Sequence, residues 1–279
     1  MVNNCEGAVT REGDGSFSIL ETDDMDLEFS TLILLCAAFF FAGIIDAISG
    51  GGGLLTLPTF LLAGFPAHFV AGTNQCSCLL GSITAAFRYM REDKIYWFTA
   101  LISAVTAVPG SVLGARLNLI MPERYLQIVM VVLLPVVAIV LLVNRRFGTE
   151  NRVETLSKPQ QIAVAVMIGF LLGGYTGFYG AGGGTFILLS FVFLNRLDLV
   201  TASGNTKICS TFATITASFT YAFSGAVVWP AAIAATVFNI AGNYIGAGLA
   251  LRNGKKIIQP MFLLVLILLF GRLIYTLFV

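Results

Sequence analysis

The sequence predicts an all-α integral membrane protein, an inverted-repeat polytopic bundle of about eight spanning helices plus two glycine-broken half-helices or re-entrant segments. Three observations predict it. The first is composition: 57% of the 279 residues are hydrophobic and 11% are charged, the latter roughly half the share usual in a soluble domain. So few charges cannot cover a water-exposed surface, whereas lipid accepts apolar side chains on every side. A soluble enzyme and a nucleic-acid binder are excluded, and the bilayer is the first partner implied. The second observation is a series of apolar runs of bilayer length. The third is an internal repeat.

Taken in order, residues 1–29 hold eight acids (Glu6, Glu12, Asp14, Glu21, Asp23, Asp24, Asp26, Glu28) and one base, Arg11. That composition reads as a disordered acidic arm. No basic segment leads directly into the first apolar run, so the arm does not read as a signal peptide. From Ser30 onward fifteen bases outnumber seven acids, a net of +8. Apolar runs of ~20 residues mark spans, and they fall at about 30–49, 68–90, 95–117, 123–143, 160–179, 199–223, 227–250 and 257–278. Gly50, Gly51, Gly52 and Gly53 in one place, and Gly180, Gly182, Gly183 and Gly184 in another, break any helix. The apolar pieces that follow, 54–65 and 185–194, reach ~15–18 Å, about half a bilayer.

Shifting the chain by about 130 residues superimposes it on itself. Gly43 meets Gly173, and Gly50, Gly52 and Gly53 meet Gly180, Gly182 and Gly183. Gly72-Thr73-Asn74 meets Ser203-Gly204-Asn205 at 131, and Trp97 meets Trp229 at 132. The expected organisation is a tail (1–29), a first transmembrane repeat (30–144), a cytoplasmic linker (145–158) and a second repeat (159–279). Charge decides the relative orientation of the copies. If they are inverted with the linker inside, eleven bases lie inside (Arg88, Arg91, Lys94, Arg145, Arg146, Arg152, Lys158, Arg196, Arg252, Lys255, Lys256) against Arg11, Arg116 and Arg124 outside. Parallel copies would lose that asymmetry, so the positive-inside rule favours inversion, with the N-terminus outside.

Several chemistries are excluded by what is missing. His68 is the single histidine, so no His cluster and no Ser-His-Asp triad can form. Cys76-Ser77-Cys78 lacks metal-knuckle spacing. The glycine run at 180–184 lacks the lysine of a phosphate loop. No enzyme activity and no cofactor are expected.

Inverted repeats with broken helices are a design of secondary transporters, with binding at the repeat interface. Half-helix N-termini present unpaired N–H groups and positive partial charge, which holds an anion without stranding a formal charge in lipid. The candidate binding groups are the amides of Gly51, Gly52 and Gly53 and of Gly182, Gly183 and Gly184; packing is the alternative use of these glycines. Asn74 and Asn205 take matching places at the 131 shift, with Thr73, Gln75, Ser203 and Thr206 beside them; each asparagine is either a substrate contact or an interhelical hydrogen bond. Lys207 lies about eight residues into its span, ~12 Å deep. An ionisable residue there is a functional candidate unless it snorkels. Its counterpart at that shift is Cys76. Asp46, whose counterpart is Thr176, is either a proton-coupling carboxylate or a solvated helix end.

The segment running from Gly43 through Asp46, Gly50 and Gly53 to Pro58, followed by Ala71-Gly72-Thr73-Asn74, resembles the sulfite exporter TauE/SafE family of membrane permeases. So does its echo, Gly173 to Gly184 followed by Ala202-Ser203-Gly204-Asn205-Thr206-Lys207. The likeness spans about residues 31–279. It implies transport of a small sulfur-containing anion, sulfite or an organosulfonate, across a cytoplasmic or plasma membrane. Coupling to H+ or another ion and a homodimer are open options beside it. The expected activity is secondary transport, with export as the expected direction, by alternating access. An anion channel, or a permease of the same fold for another small anion, is the alternative.

Overall fold

The computed structural model describes residues 29–122 and 151–258, together with 260, 261 and 264. Eight helices organise them. The first repeat contains α1 (Phe29–Ser49), the half-helix α2 (Gly53–Leu62), α3 (Ala67–Arg91) and α4 (Trp97–Ile120). The second contains α5 (Lys158–Phe178), the half-helix α6 (Gly183–Phe193), α7 (Leu199–Phe223) and α8 (Trp229–Asn253). No strand occurs among the described residues. The expected span at 123–143, most of that at 257–278, residues 1–28 of the acidic arm and residues 145–150 of the linker lie outside the described residues.

Local sequence sets the boundaries. Asp198 caps α7 by accepting from the amides of Val200 (3.0 Å) and Thr201 (3.1 Å). Ser157 and Gln160 form a capping box at the start of α5, with Pro159 in the first turn, where its missing N–H costs nothing. Within α5 the ladder widens to a π-helical turn over Ile168–Leu172 before resuming at Gly173. Four helices (Thr31–Ser49, Trp97–Ile120, Lys158–Phe178, Trp229–Asn253) are long and apolar enough to cross a bilayer. The 25-residue helices α3 and α7 are as long but more polar; they carry the buried Thr73, Asn74, Gln75, Ser77, Ser203, Asn205, Thr206 and Lys207.

Packing fixes the direction of each helix. A Cβ on Gly242 of α8 would meet the Phe40 carbonyl of α1, and one on Gly246 would meet the Ile44 carbonyl, so α1 and α8 advance together. Gly110 against the Phe170 carbonyl and Gly114 against the Gly174 carbonyl repeat this arrangement for α4 and α5. Both GxxxG pairs therefore let backbones touch, as small residues do between membrane helices. Between α3 and α7 the order reverses: Gly72 lies beside Tyr221, Cys76 beside Ser218 and Tyr89 beside Ser203. These counterpart helices are antiparallel, which makes the repeats inverted, as the charge distribution predicts.

The half-helices are re-entrant. α2 folds back along α1, with Gly52 against Ala42 and Asp46, and Phe60 edge-on to Phe39 at 5.2 Å. α6 folds back along α5, with Phe186 edge-on to Tyr175 at 5.4 Å. Each hairpin returns the chain to the side it entered from, and the next helix crosses. One end of the bundle gathers Arg91, Lys94, Arg152, Lys158, Arg196, Arg252, Lys255 and Lys256 at the ends of α3, α4, α5, α7 and α8. Contacts join that end: the Lys158 ammonium donates to the Tyr96 hydroxyl (3.3 Å) and the Arg152 amide to the Arg196 carbonyl (2.8 Å). Among the described bases Arg116 alone stands towards the opposite end. Trp97 and Trp229 begin α4 and α8, so inversion puts them at opposite ends, both half-exposed as interfacial anchors.

Candidate functional site

The two glycine breaks meet at the centre. Gly50 (φ +74°) ends the α1 helix, and Gly180 (+81°) with Gly182 (+72°) ends α5. The left-handed backbone turns the chain sharply and favours glycine. A Cβ on Gly184 would lie 2.7 Å from both the Cα and the carbonyl oxygen of Gly50, and one on Gly53 would lie 2.9 Å from the Ala181 Cα. The Thr185 hydroxyl donates to the Ser49 carbonyl (3.0 Å), tying the first turn of α6 to the last of α1. The N-termini of α2 and α6 therefore open on one place. The first N–H groups of any helix lack intrahelical acceptors and carry positive partial charge.

Lys207 of α7 reaches this place. Its ammonium donates to the Asp46 carboxylate of α1 at 2.7 Å, with the Lys207 side chain 2% and the Asp46 side chain 20% exposed. One ion pair thus joins the repeats. Burying a lone ammonium costs several kcal/mol, and a hydrogen-bonded counter-charge offsets most of that. Gly52 is part of the seat, because a Cβ there would lie 2.6 Å from the Asp46 Cβ.

The second arm is Gln75 of α3, whose side-chain amide donates to the Thr176 carbonyl of α5. Asp46 and Thr176 are counterparts, so Gln75 and Lys207 occupy equivalent places in the two repeats. Two further pairs agree. The Val228 amide donates to the Thr73 hydroxyl (3.0 Å) and the Tyr96 amide to the Asn205 carbonyl oxygen (2.8 Å). Gly72 abuts the Ala226 carbonyl as Gly204 abuts the Lys94 carbonyl. The third helices are therefore in register at 132 residues, not 131. The counterpart of Lys207 is Gln75 rather than Cys76, and Asn74 and Asn205 do not match each other. The sequence comparison misses this because aligning the two asparagines masks a one-residue slip.

The remaining candidates separate by what they bind. The Asn74 side-chain oxygen accepts from the Thr56 hydroxyl at 2.6 Å, and its amide nitrogen points at the Gly180 turn, 3.7 Å from where a Cβ would stand. Asn205 is used otherwise. Its oxygen caps α4, while its NH2 donates to the Tyr96 carbonyl (3.2 Å) and the Thr99 hydroxyl (3.1 Å). The Thr206 hydroxyl donates to its own helix at the Ala202 carbonyl (2.7 Å), and Thr73 caps α8. Gathered at the centre are Asp46, Gln75, Lys207, the Asn74 amide and both glycine turns. Thr56, Thr176 and Thr185 also belong there; Thr56 and Thr185 carry no signal in the sequence, and the repeat marks Thr176 only as the counterpart of Asp46. Two outer grooves, one lined by Arg116 and Phe219 and one over Gly110 and Gly114, contain none of these residues.

Residues 35–273 match the family described as Sulfite exporter TauE/SafE. The chain belongs to that family. It is 33% identical over 249 residues to "Probable membrane transporter protein ORF9" of Sinorhizobium sp, covering 89% of this chain and 94% of the relative. It is 28% identical over 246 residues to "Probable membrane transporter protein YfcA" of Escherichia coli K12, covering 87% and 90%. A "Probable membrane transporter protein" of Haemophilus influenzae is 26% identical over 251 residues, covering 90% and 97%. No solved structure matches. This TauE/SafE protein is a multi-pass membrane transporter, and the central constellation is its candidate transport site.

Proposed function

We propose that this transporter moves a small sulfur oxyanion or organosulfonate, sulfite being the simplest, by alternating access of its two repeats around the central site. The observation that carries the reading is the placement of one buried cation, Lys207, where the N-termini of two half-helices from opposed repeats converge. Two helix termini and one ammonium suit one small anion, and the glycines let the two breaks approach closely enough to share it. Gln75 and Asn74 supply neutral donors that orient its oxygens. The basic end faces the cytoplasm of a cell membrane by the positive-inside rule, so α1 enters from outside and the N-terminus is external.

Counterflow in proteoliposomes tests this. Vesicles preloaded with sulfite, thiosulfate, taurine or sulfoacetate should accumulate the labelled form of at least one, and Lys207→Ala should abolish the signal. A pore would pass current without counterflow. Counterflow by none of the four, or wild-type rates in Lys207→Ala, would overturn the reading.

A further inference from the structure

On the strength of that anion reading, we infer that the proton is this transporter's second substrate: Asp46 is a tethered stand-in for the transported anion, and its protonation releases Lys207 to bind the real one. Asp46 occupies the Lys207 ammonium at 2.7 Å, the position an incoming oxyanion needs. Charge balance then leaves two favourable states of the buried centre. In the empty carrier, Asp46 carboxylate and Lys207 ammonium sum to zero. In the loaded carrier, neutral Asp46 acid, Lys207 ammonium and a monovalent anion also sum to zero.

The mixed states carry net charge. Anion bound with Asp46 still ionised leaves −1 in the bilayer interior, and a protonated Asp46 with no anion leaves +1. Both are disfavoured by the cost of an uncompensated charge in low dielectric. One proton therefore enters and leaves with each monovalent anion, and the central charge is the same in both reorienting forms. The accessibility of the pair has the required order, because Asp46 is the more exposed partner, at 20% against 2%.

Among the described residues the surroundings supply no second carboxylate. The charged or titratable side chains near Asp46 are Lys207 of α7 and Cys78 and Tyr89 of α3. α2 and α6 carry no ionisable residue. Asn239 and Asn243 face α1 from α8, whereas Tyr244 lies outside under Arg88. On α7, Cys209 points to the Ser103 carbonyl and Tyr221 to the Gly177 carbonyl. The pseudo-symmetric arm sharpens the contrast: Gln75 meets a backbone carbonyl at Thr176, so it has no titratable partner.

The test uses methanesulfonate, a monovalent anion whose charge is fixed across the neutral range, with the full-length protein. Wild-type affinity for methanesulfonate should fall about tenfold per pH unit once Asp46 is ionised, the slope of one linked proton. Uptake should acidify vesicles loaded with a pH dye. In Asp46→Asn the slope should vanish. If that variant does not fold, the wild-type slope and dye signal decide alone. Binding without a pH slope and without proton movement overturns the exchange and leaves the anion reading standing. Wild-type protein that neither binds methanesulfonate nor shows counterflow overturns the anion reading and this one with it.

Discussion

Gly184→Ala probes the crossing of the two breaks most directly. The new methyl would stand 2.7 Å from both the Cα and the carbonyl oxygen of Gly50, whereas non-bonded carbons rest at ~3.5–4.0 Å. The breaks must part by about 1 Å, and neither obstructing atom belongs to a side chain that can rotate away. Overpacking of this kind costs ~1–3 kcal/mol, which should lower the melting temperature of the purified protein by several degrees. Because the methyl separates the two half-helix N-termini, counterflow should fall further than stability does. Gly64→Ala is the control: its backbone is also left-handed (φ +82°), but no atom lies within 4 Å of the new methyl. It should cost about 1–2 kcal/mol of backbone strain and retain transport. A double-mutant cycle of Gly50→Ala with Gly184→Ala should be non-additive, because both changes strain one contact. Wild-type melting and transport in Gly184→Ala, or strict additivity in the cycle, would refute the crossing.

Two further expectations concern the frame around the site. Asn205→Ala leaves the Tyr96 amide without its acceptor, so stability should drop by about 1–3 kcal/mol while the KM for the transported anion stays put; a raised KM with unchanged melting would return Asn205 to the site. Ser218→Cys, with Cys76 as the sole native cysteine retained, should oxidise to a bridge between α3 and α7, since the Cys76 sulfur already lies 3.8 Å from the Ser218 carbonyl oxygen. A pair of free thiols under the same oxidation would count against the antiparallel packing.

Hydropathy and glycine placement made the architecture legible: α1, α3, α4, α5, α7 and α8 each fall within a few residues of the expected spans. Inversion was legible because basic residues cluster by side, a signal written in the loops rather than in the helices. Re-entry was not, since a ten-residue apolar helix has the same composition whether it continues across or folds back; the contact of Phe60 with Phe39 decides it. Lys207 and Asp46 stood out singly, as ionisable groups in apolar segments. Their pairing was hidden because it spans 161 residues of sequence and depends on how α1 meets α7. Asn205 shows the opposite failure: an asparagine inside an apolar helix signals a polar partner without saying whether that partner is a ligand or, as here, the bare end of α4.

The exchange of partners between halves has a consequence for biogenesis. α1 seats against α8, with the Asn239 side chain reaching the Phe39 carbonyl across 200 residues of chain, and α5 seats against α4. α1 therefore finds its seat only once α8, some 200 residues later, has been made. A gene cut at the linker would yield two fragments whose sticky faces are each other's, so co-expression should rescue what either fragment alone cannot build.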